Sequence, residues 1–233
     1  MDWIWQGFHD AFNLLLHGDP EIRFITLLTL RVSGLATIIS LVIGLPFGTL
    51  LTLHRFRGRS LLLGLVNTGM AIPPVVVGLL AAILLWRSGP LGILNLIYTP
   101  SAMIFAQVII ATPVITGLTA AALEQLDPRL RLQLLGLGAS QLQMIALLWW
   151  EARLGLLAAL MAGFGRAISE IGASMMIGGN IRFQTRVLTT AIVLETGKGN
   201  FDRAIALGLI LLSLAFMINY VLTMAQQRRQ SRS

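Results

Sequence analysis

The chain has 233 residues, 56% of them hydrophobic and 12% charged, with 17 Lys and Arg against 10 Asp and Glu for a formal charge of +7. A mean hydropathy of +0.81 leaves too little polar surface for a soluble domain of this size and places the chain in a bilayer. Cysteine is absent and His9, His17 and His54 lack metal-ligand spacing, which excludes disulfides and thiolate metal sites; no G-x-x-x-x-G-K-[ST] phosphate loop occurs, so the chain does not hydrolyse ATP by itself.

The first segment, Met1 to Leu30, interleaves Trp3, Trp5, Phe8, Phe12 and Leu14 to Leu16 with polar residues and is broken by Gly18-Asp19-Pro20. It reads as an amphipathic helix lying in the membrane interface. A cleaved signal peptide fits less well, because Asp2 stands where a basic start belongs and no small-residue cleavage site follows.

Beyond it, five apolar runs reach the length of about 20 residues that a helix needs to cross the hydrocarbon core. They cover Arg31 to Leu53, Leu61 to Trp86, Thr99 to Leu123, Leu154 to Ile177 and Ala204 to Ala225. Their apolar character is continuous rather than alternating, so they are helices and not barrel strands. The expected fold class is all-α, a polytopic membrane protein forming one domain over residues 1–233.

Arg55, Arg57 and Arg59 fill the first loop, Arg129, Arg131 and Arg153 the third, and Arg228, Arg229 and Arg232 the tail. Because Lys and Arg resist translocation, this pattern predicts a cytoplasmic C-terminus and an external N-terminus. The opposite side also carries Arg23, Arg87, Arg182, Arg186, Lys198 and Arg203. The Arg clusters flank spans, so topology explains the net charge and no nucleic-acid partner is expected.

Pro46, Pro73-Pro74 and Pro113 fall inside spans, where each removes a backbone donor. The freed carbonyls need partners in protein or beside water, as happens along transport pathways and in plain kinked packing alike.

Between the third and fourth spans, residues 127–150 read as a cytoplasmic region. Asp127-Pro128 caps a short helix around Arg129 to Leu135, Gly136 and Gly138 allow a sharp reversal, and Gln141, Gln143 and Met144 open another helix. Its apolar content fits docking into a partner's groove.

In the fourth span Gly155, Ala159, Gly163 and Ala167 recur every fourth residue, a stripe that lets two helices approach closely. Ala158, Ala162, Arg166 and Glu170 form the neighbouring stripe, with the charged pair at i, i+4. Two readings stay open. The pair neutralises itself within the helix, or it lines and gates a path where the guanidinium meets an oxyanion. Asn180, Arg182, Thr185 and Arg186 follow, either as anion contacts or as an ordinary external loop.

Leu137-Gly138-Ala139-Ser140, followed about 20 residues later by the run from Phe164 to Ala173, resembles the membrane subunits of ABC importers, in particular the molybdate, sulfate and tungstate branch. Gly44-Leu45-Pro46-Phe47-Gly48, the run from Pro73 to Leu79, Ser88 to Gly92, Glu151-Ala152-Arg153, Gly178 to Arg182, Thr185-Arg186-Val187 and Leu194 to Gly199 resemble the tungstate permeases within it. The resemblance implies a type I importer permease fold, a homodimer forming the path, two ATPase subunits on the cytoplasmic face and an extracytoplasmic oxyanion-binding protein. No cofactor is implied.

It also implies that Asp127, Gly136, Gly138, Ala139 and Ser140 form the coupling turn to the ATPase. The chain departs from the wider importer pattern where Leu132-Gln133-Leu134 replaces Glu-Ala-Ala and Trp149-Trp150 replaces Leu-Pro. Docking is therefore expected to rely on shape more than on charge.

Other classes fit less well. A secondary transporter would show internal repeats and an unpaired titratable group, a channel has no use for the Gly-turn helices, and a membrane enzyme needs a catalytic cluster.

Overall fold

The computed structural model describes residues 19–230, which form helices without a strand. The order is α1 (Pro20–Leu53), α2 (Arg59–Ala71), α3 (Pro74–Leu85), a short 3-10 turn, α4 (Pro100–Glu124), α5 (Pro128–Gly136), α6 (Gln141–Glu151), α7 (Arg153–Ile168), α8 (Gly172–Gly178), α9 (Leu188–Gly197) and α10 (Phe201–Gln230).

Several helices start with the same local device. Asp19 accepts from the N–H groups of Glu21 and Ile22 ahead of Pro20, Thr99 accepts from Ala102 N ahead of Pro100, and Asp127 accepts from Arg129 N ahead of Pro128. In each, a capping oxygen satisfies an orphan donor while proline presets the first helical φ.

Three helices, Pro20–Leu53, Pro100–Glu124 and Phe201–Met224, are each long and apolar enough to span a membrane alone. The count reaches five if each of two bent pairs is one span, α2 with α3 at 101° and α6 with α7 at 74°. The Pro73-Pro74 pair accounts for the sharper bend, because two successive residues lack a donor. Pro46 and Pro113 stay inside unbroken helices.

α1 and α4 form the centre of the molecule. A Cβ on Gly48 would lie 2.6 Å from the carbonyl oxygen of Thr116, and one on Gly44 3.0 Å from Ile115 Cγ2. The stripe on α7 also packs on α4: a Cβ on Gly155 would meet Ala122 Cβ at 2.6 Å, one on Gly163 would meet Ile115 Cγ1 at 2.5 Å, and Ala159 and Ala167 are fully buried. In lipid, close packing and cross-helix hydrogen bonds hold helices together. Thr52 Oγ1 to Ala120 O at 3.3 Å supplies one such bond. Leu27, Val42, Leu212, Phe216 and Val221 leave apolar outer faces exposed, as a bilayer solvent requires.

Three boundaries differ from the sequence reading. The first span begins at Pro20, not Arg31, because the Asp19 cap and the apolar residues after Glu21 carry the helix three turns earlier. The interfacial helix expected over Met1 to Leu30 thus has its last residues inside α1, and the remainder lies outside the described residues. The fourth span ends at Ile168 and resumes as α8, and residues expected as loop form α9.

Candidate translocation site and coupling surface

Two helix breaks lie beside one another, each with some of its residues exposed. The first lies at Ile72-Pro73 between α2 and α3, and the second at Ser169 to Ile171 between α7 and α8. Small residues clamp the segments that follow: a Cβ on Gly172 would lie 2.6 Å from Val75 Cγ2, and one on Gly78 2.6 Å from Ala173 Cα. At these two points α3 and α8 approach too closely for a further side chain.

Arg166, half-buried in the last turn of α7, donates from Nη2 to the Ile72 carbonyl at 3.4 Å. That carbonyl sits in the break and has no helical partner, so the guanidinium supplies what the prolines removed. The other guanidinium donors have no protein partner among the described residues. Ser169, exposed beside it, turns its hydroxyl to Gly165 O at 2.8 Å.

Glu170 does not pair with Arg166, which corrects the reading of a self-neutralised pair on one helix. α7 has already ended at Ile168, so the i, i+4 geometry does not exist. Instead Glu170, 3% exposed, accepts from Ala173 N and Ser174 N at 2.9 Å each and caps α8. Its own carbonyl accepts from Thr189 Oγ1 at 2.9 Å, joining the break to α9. A buried carboxylate at a helix N-terminus is stabilised by these donors and by the helix dipole.

Asn180, Arg182, Thr185 and Arg186 are brought together beyond α8, around an acid the sequence reading overlooked. Glu21, with a side chain 8% exposed, accepts from Arg182 at 2.7 Å, Arg186 at 2.9 Å and Arg203 at 3.3 Å. Thr185, fully buried, donates to Gly178 O and accepts from Ile181 N at 3.0 Å. Asn180, at φ +50°, donates to Thr190 O at 3.3 Å and lends its carbonyl to Arg186. This loop is locked onto the start of α1. The available signal was one acid directly behind the Asp-Pro cap, the sole Asp or Glu within a long, largely apolar helix.

Nearby, Glu195 accepts from Lys198 and Asn200 at 2.9 and 2.8 Å. Burial pushes its carboxyl upward, but the hydrogen bonds from Asn200 and Lys198 and the charges of Lys198 and Arg203 outweigh this and hold it below the usual glutamate range.

The opposite end carries α5 and α6. Asp127 Oδ1 accepts Arg129 N at 2.8 Å, and Ser140 caps α6 in a capping box with Gln143. Gly138 makes the reversal at φ +80°, a left-handed value favouring glycine, and Ala139 N closes it on Leu134 O at 3.0 Å. Gly136 is helical, the last residue of α5, so the turn rests on Gly138 alone. Leu132, Leu137 and Leu142 stand 70%, 84% and 81% exposed there, an apolar patch on the surface of this chain. Trp149, one of the departures from the importer pattern, donates from its indole to Thr49 Oγ1 at 2.9 Å and moors α6 to α1.

Residues 40–231 match the family described as binding-protein-dependent transport system inner membrane component. The chain belongs to this family. It is 40% identical over 227 residues to the tungstate uptake system permease protein TupB of Peptoclostridium acidaminophilum, covering 97% of this chain and 100% of the relative. Against TupB of Campylobacter jejuni subsp. jejuni the identity is 34%, covering 95% and 92%. The molybdenum transport system permease protein ModB of Escherichia coli stands at 26%, covering 92% and 98%.

Among solved structures, a chain of the MetNI methionine ABC transporter in an inward facing conformation superposes with a TM-score of 0.66 at 23% identity, covering 89% of this chain and 93% of that one. A chain of an amino acid ABC transporter superposes at 0.67 with 17% identity, covering 93% and 98%. The fold of this permease is that of the type I importers. It is a multi-pass inner-membrane transport subunit.

Proposed function

We propose that this chain is the permease of an ATP-driven tungstate importer, working as a homodimer with two ATPase subunits and an extracytoplasmic oxyanion-binding protein. The observation that carries the oxyanion reading is Arg166, a guanidinium with free donors at the junction of two broken helices. Such a fork matches the geometry of a tetrahedral oxyanion, and the charge that draws the anion is the guanidinium's own, since Arg166 lies in the last turn of α7. Tungstate is favoured by the tungstate uptake permeases at 34% and 40% identity.

In this reading α5 and α6 face the cytoplasm, which places the C-terminus inside and the Glu21 cluster outside. The turn from Asp127 through Gly136, Gly138 and Ala139 to Ser140 docks on the ATPase through its exposed leucines. ATP binding moves this turn, and α6 and α7 carry the motion to the break that holds Arg166 and Ser169. Glu170 positions that break without touching the anion. The loop holding Asn180, Arg182, Thr185 and Arg186 receives the loaded binding protein, with Glu21 fixing its shape. The permease breaks no bond in its substrate, and selection between tungstate and molybdate rests on the binding protein.

The experiment is metal uptake in cells expressing the permease with its ATPase and binding protein, offering tungstate, molybdate and sulfate separately. Tungstate uptake lost in Gly138→Asp and sharply reduced in Arg166→Gln is the expected result. Uptake of sulfate or molybdate alone would overturn the substrate, and full uptake by Gly138→Asp would overturn the docking turn.

A further inference from the structure

At the α5 end, the ends of α1 and α4 and the start of α5 enclose a cavity of about 570 Å³. Arg55, Arg59 and Arg131 stand on its wall together with Glu124 and Asp127. The two acids are already engaged: Glu124 holds Arg59 at 2.7 Å, and Asp127 caps α5. Arg131 gives Nη1 to Leu53 O at 2.6 Å, which fixes its side chain across the cavity and leaves its other donors unused. Arg55 is exposed and has no protein partner among the described residues.

The rest of the lining is apolar, formed by Leu53, Leu123, Leu126 and Leu148. We propose that this cavity binds the headgroup phosphate of an anionic phospholipid, held by Arg55 and Arg131. It opens where the apolar helices α1 and α4 end, at the depth where headgroups meet the protein, and basic pockets between helices at that level suit such headgroups. The two neighbouring acids disfavour an inorganic dianion more than a singly charged diester, and the leucines suit the glycerol and first acyl carbons. The cavity shares Asp127 with the start of the coupling segment, but the exposed leucines Leu132, Leu137 and Leu142, through which that segment would meet the ATPase, are not part of its lining. The inference does not depend on which oxyanion is carried.

The test uses the full chain in nanodiscs of equimolar phosphatidylglycerol and phosphatidylcholine, released into the mass spectrometer to read retained lipid. The wild type is expected to retain phosphatidylglycerol preferentially, with Arg55→Gln and Arg131→Gln each lowering the preference about fivefold, the effect of one arginine beside an anionic surface. Arg87→Gln, outside the cavity, is expected to change nothing. Arg55 is exposed and makes no hydrogen bond or ion pair among the described residues, so its variant folds even if Arg131→Gln does not. Equal retention of both lipids, or an unchanged preference in Arg55→Gln, overturns the proposal. Displacement of phosphatidylglycerol by added inorganic phosphate would assign the cavity to a free anion and also overturn it.

Discussion

Glu170 offers the sharpest test of how the break between α7 and α8 is held. Its two oxygens accept Ala173 N and Ser174 N at 2.9 Å in a site that is 3% exposed. Glu170→Ala leaves both donors buried without a partner, at about 1–3 kcal/mol each, or about 2–6 kcal/mol in all. Glu170→Gln keeps one acceptor and sets an amide donor against the second N–H, so about half that loss is expected. Arg166→Gln removes only a 3.4 Å bond to the Ile72 carbonyl, about 0.5–1.5 kcal/mol. Since the two side chains share no partner, Arg166→Gln combined with Glu170→Gln should be additive to within about 0.5 kcal/mol. Unfolding by SDS titration in mixed micelles measures all four proteins of the cycle. A coupling of about 2 kcal/mol, with the double variant recovering stability, would show that the residues neutralise each other and refute the capping role.

Gly48→Ala is expected to destabilise by about 1–3 kcal/mol in the same assay, because its Cβ would sit 2.6 Å from the backbone oxygen of Thr116, which cannot rotate away. Gly138→Ala should lose about 1–2 kcal/mol locally at φ +80° and uncouple ATP hydrolysis from uptake, read as ATPase activity in liposomes without substrate accumulation. Ser140→Ala removes the capping box of α6 for about 0.5–2 kcal/mol and should weaken retention of the ATPase on affinity resin. Glu195 is held below its ordinary value of about 4.3, so its contribution is fully present above that pH and fades as acidification passes through the folded value. The stability of Glu195→Gln should therefore approach that of the wild type in acid and fall behind it at neutral pH.

Much of the fold was legible because lipid imposes a strict rule. Backbone groups in lipid must be satisfied within a helix or between the strands of a closed barrel, so continuous apolar runs read as helices; hydropathy gave their existence, while the start of the first and the breaks within the second and fourth did not follow from it. The stripe Gly155, Ala159, Gly163 and Ala167 likewise predicted a close helix contact, since missing side chains have a local spacing that sequence displays. The Asp127-Pro128 cap was readable for the same reason: a cap acts over two or three residues.

What failed were statements about partners. Arg166 and Glu170 have helical spacing, but a break after Ile168 sends one to the Ile72 carbonyl and the other to the next helix's N-terminus. Glu21 meets Arg182, Arg186 and Arg203 across more than 160 positions of chain. Composition and period thus determined the membrane class, the existence of the helices and the glycine reversal at Gly138, all set by interactions among near neighbours. Only the tertiary structure decided which charges meet and which remain free, because a buried ion finds its partner in space, wherever unsatisfied backbone or opposite charge happens to be packed.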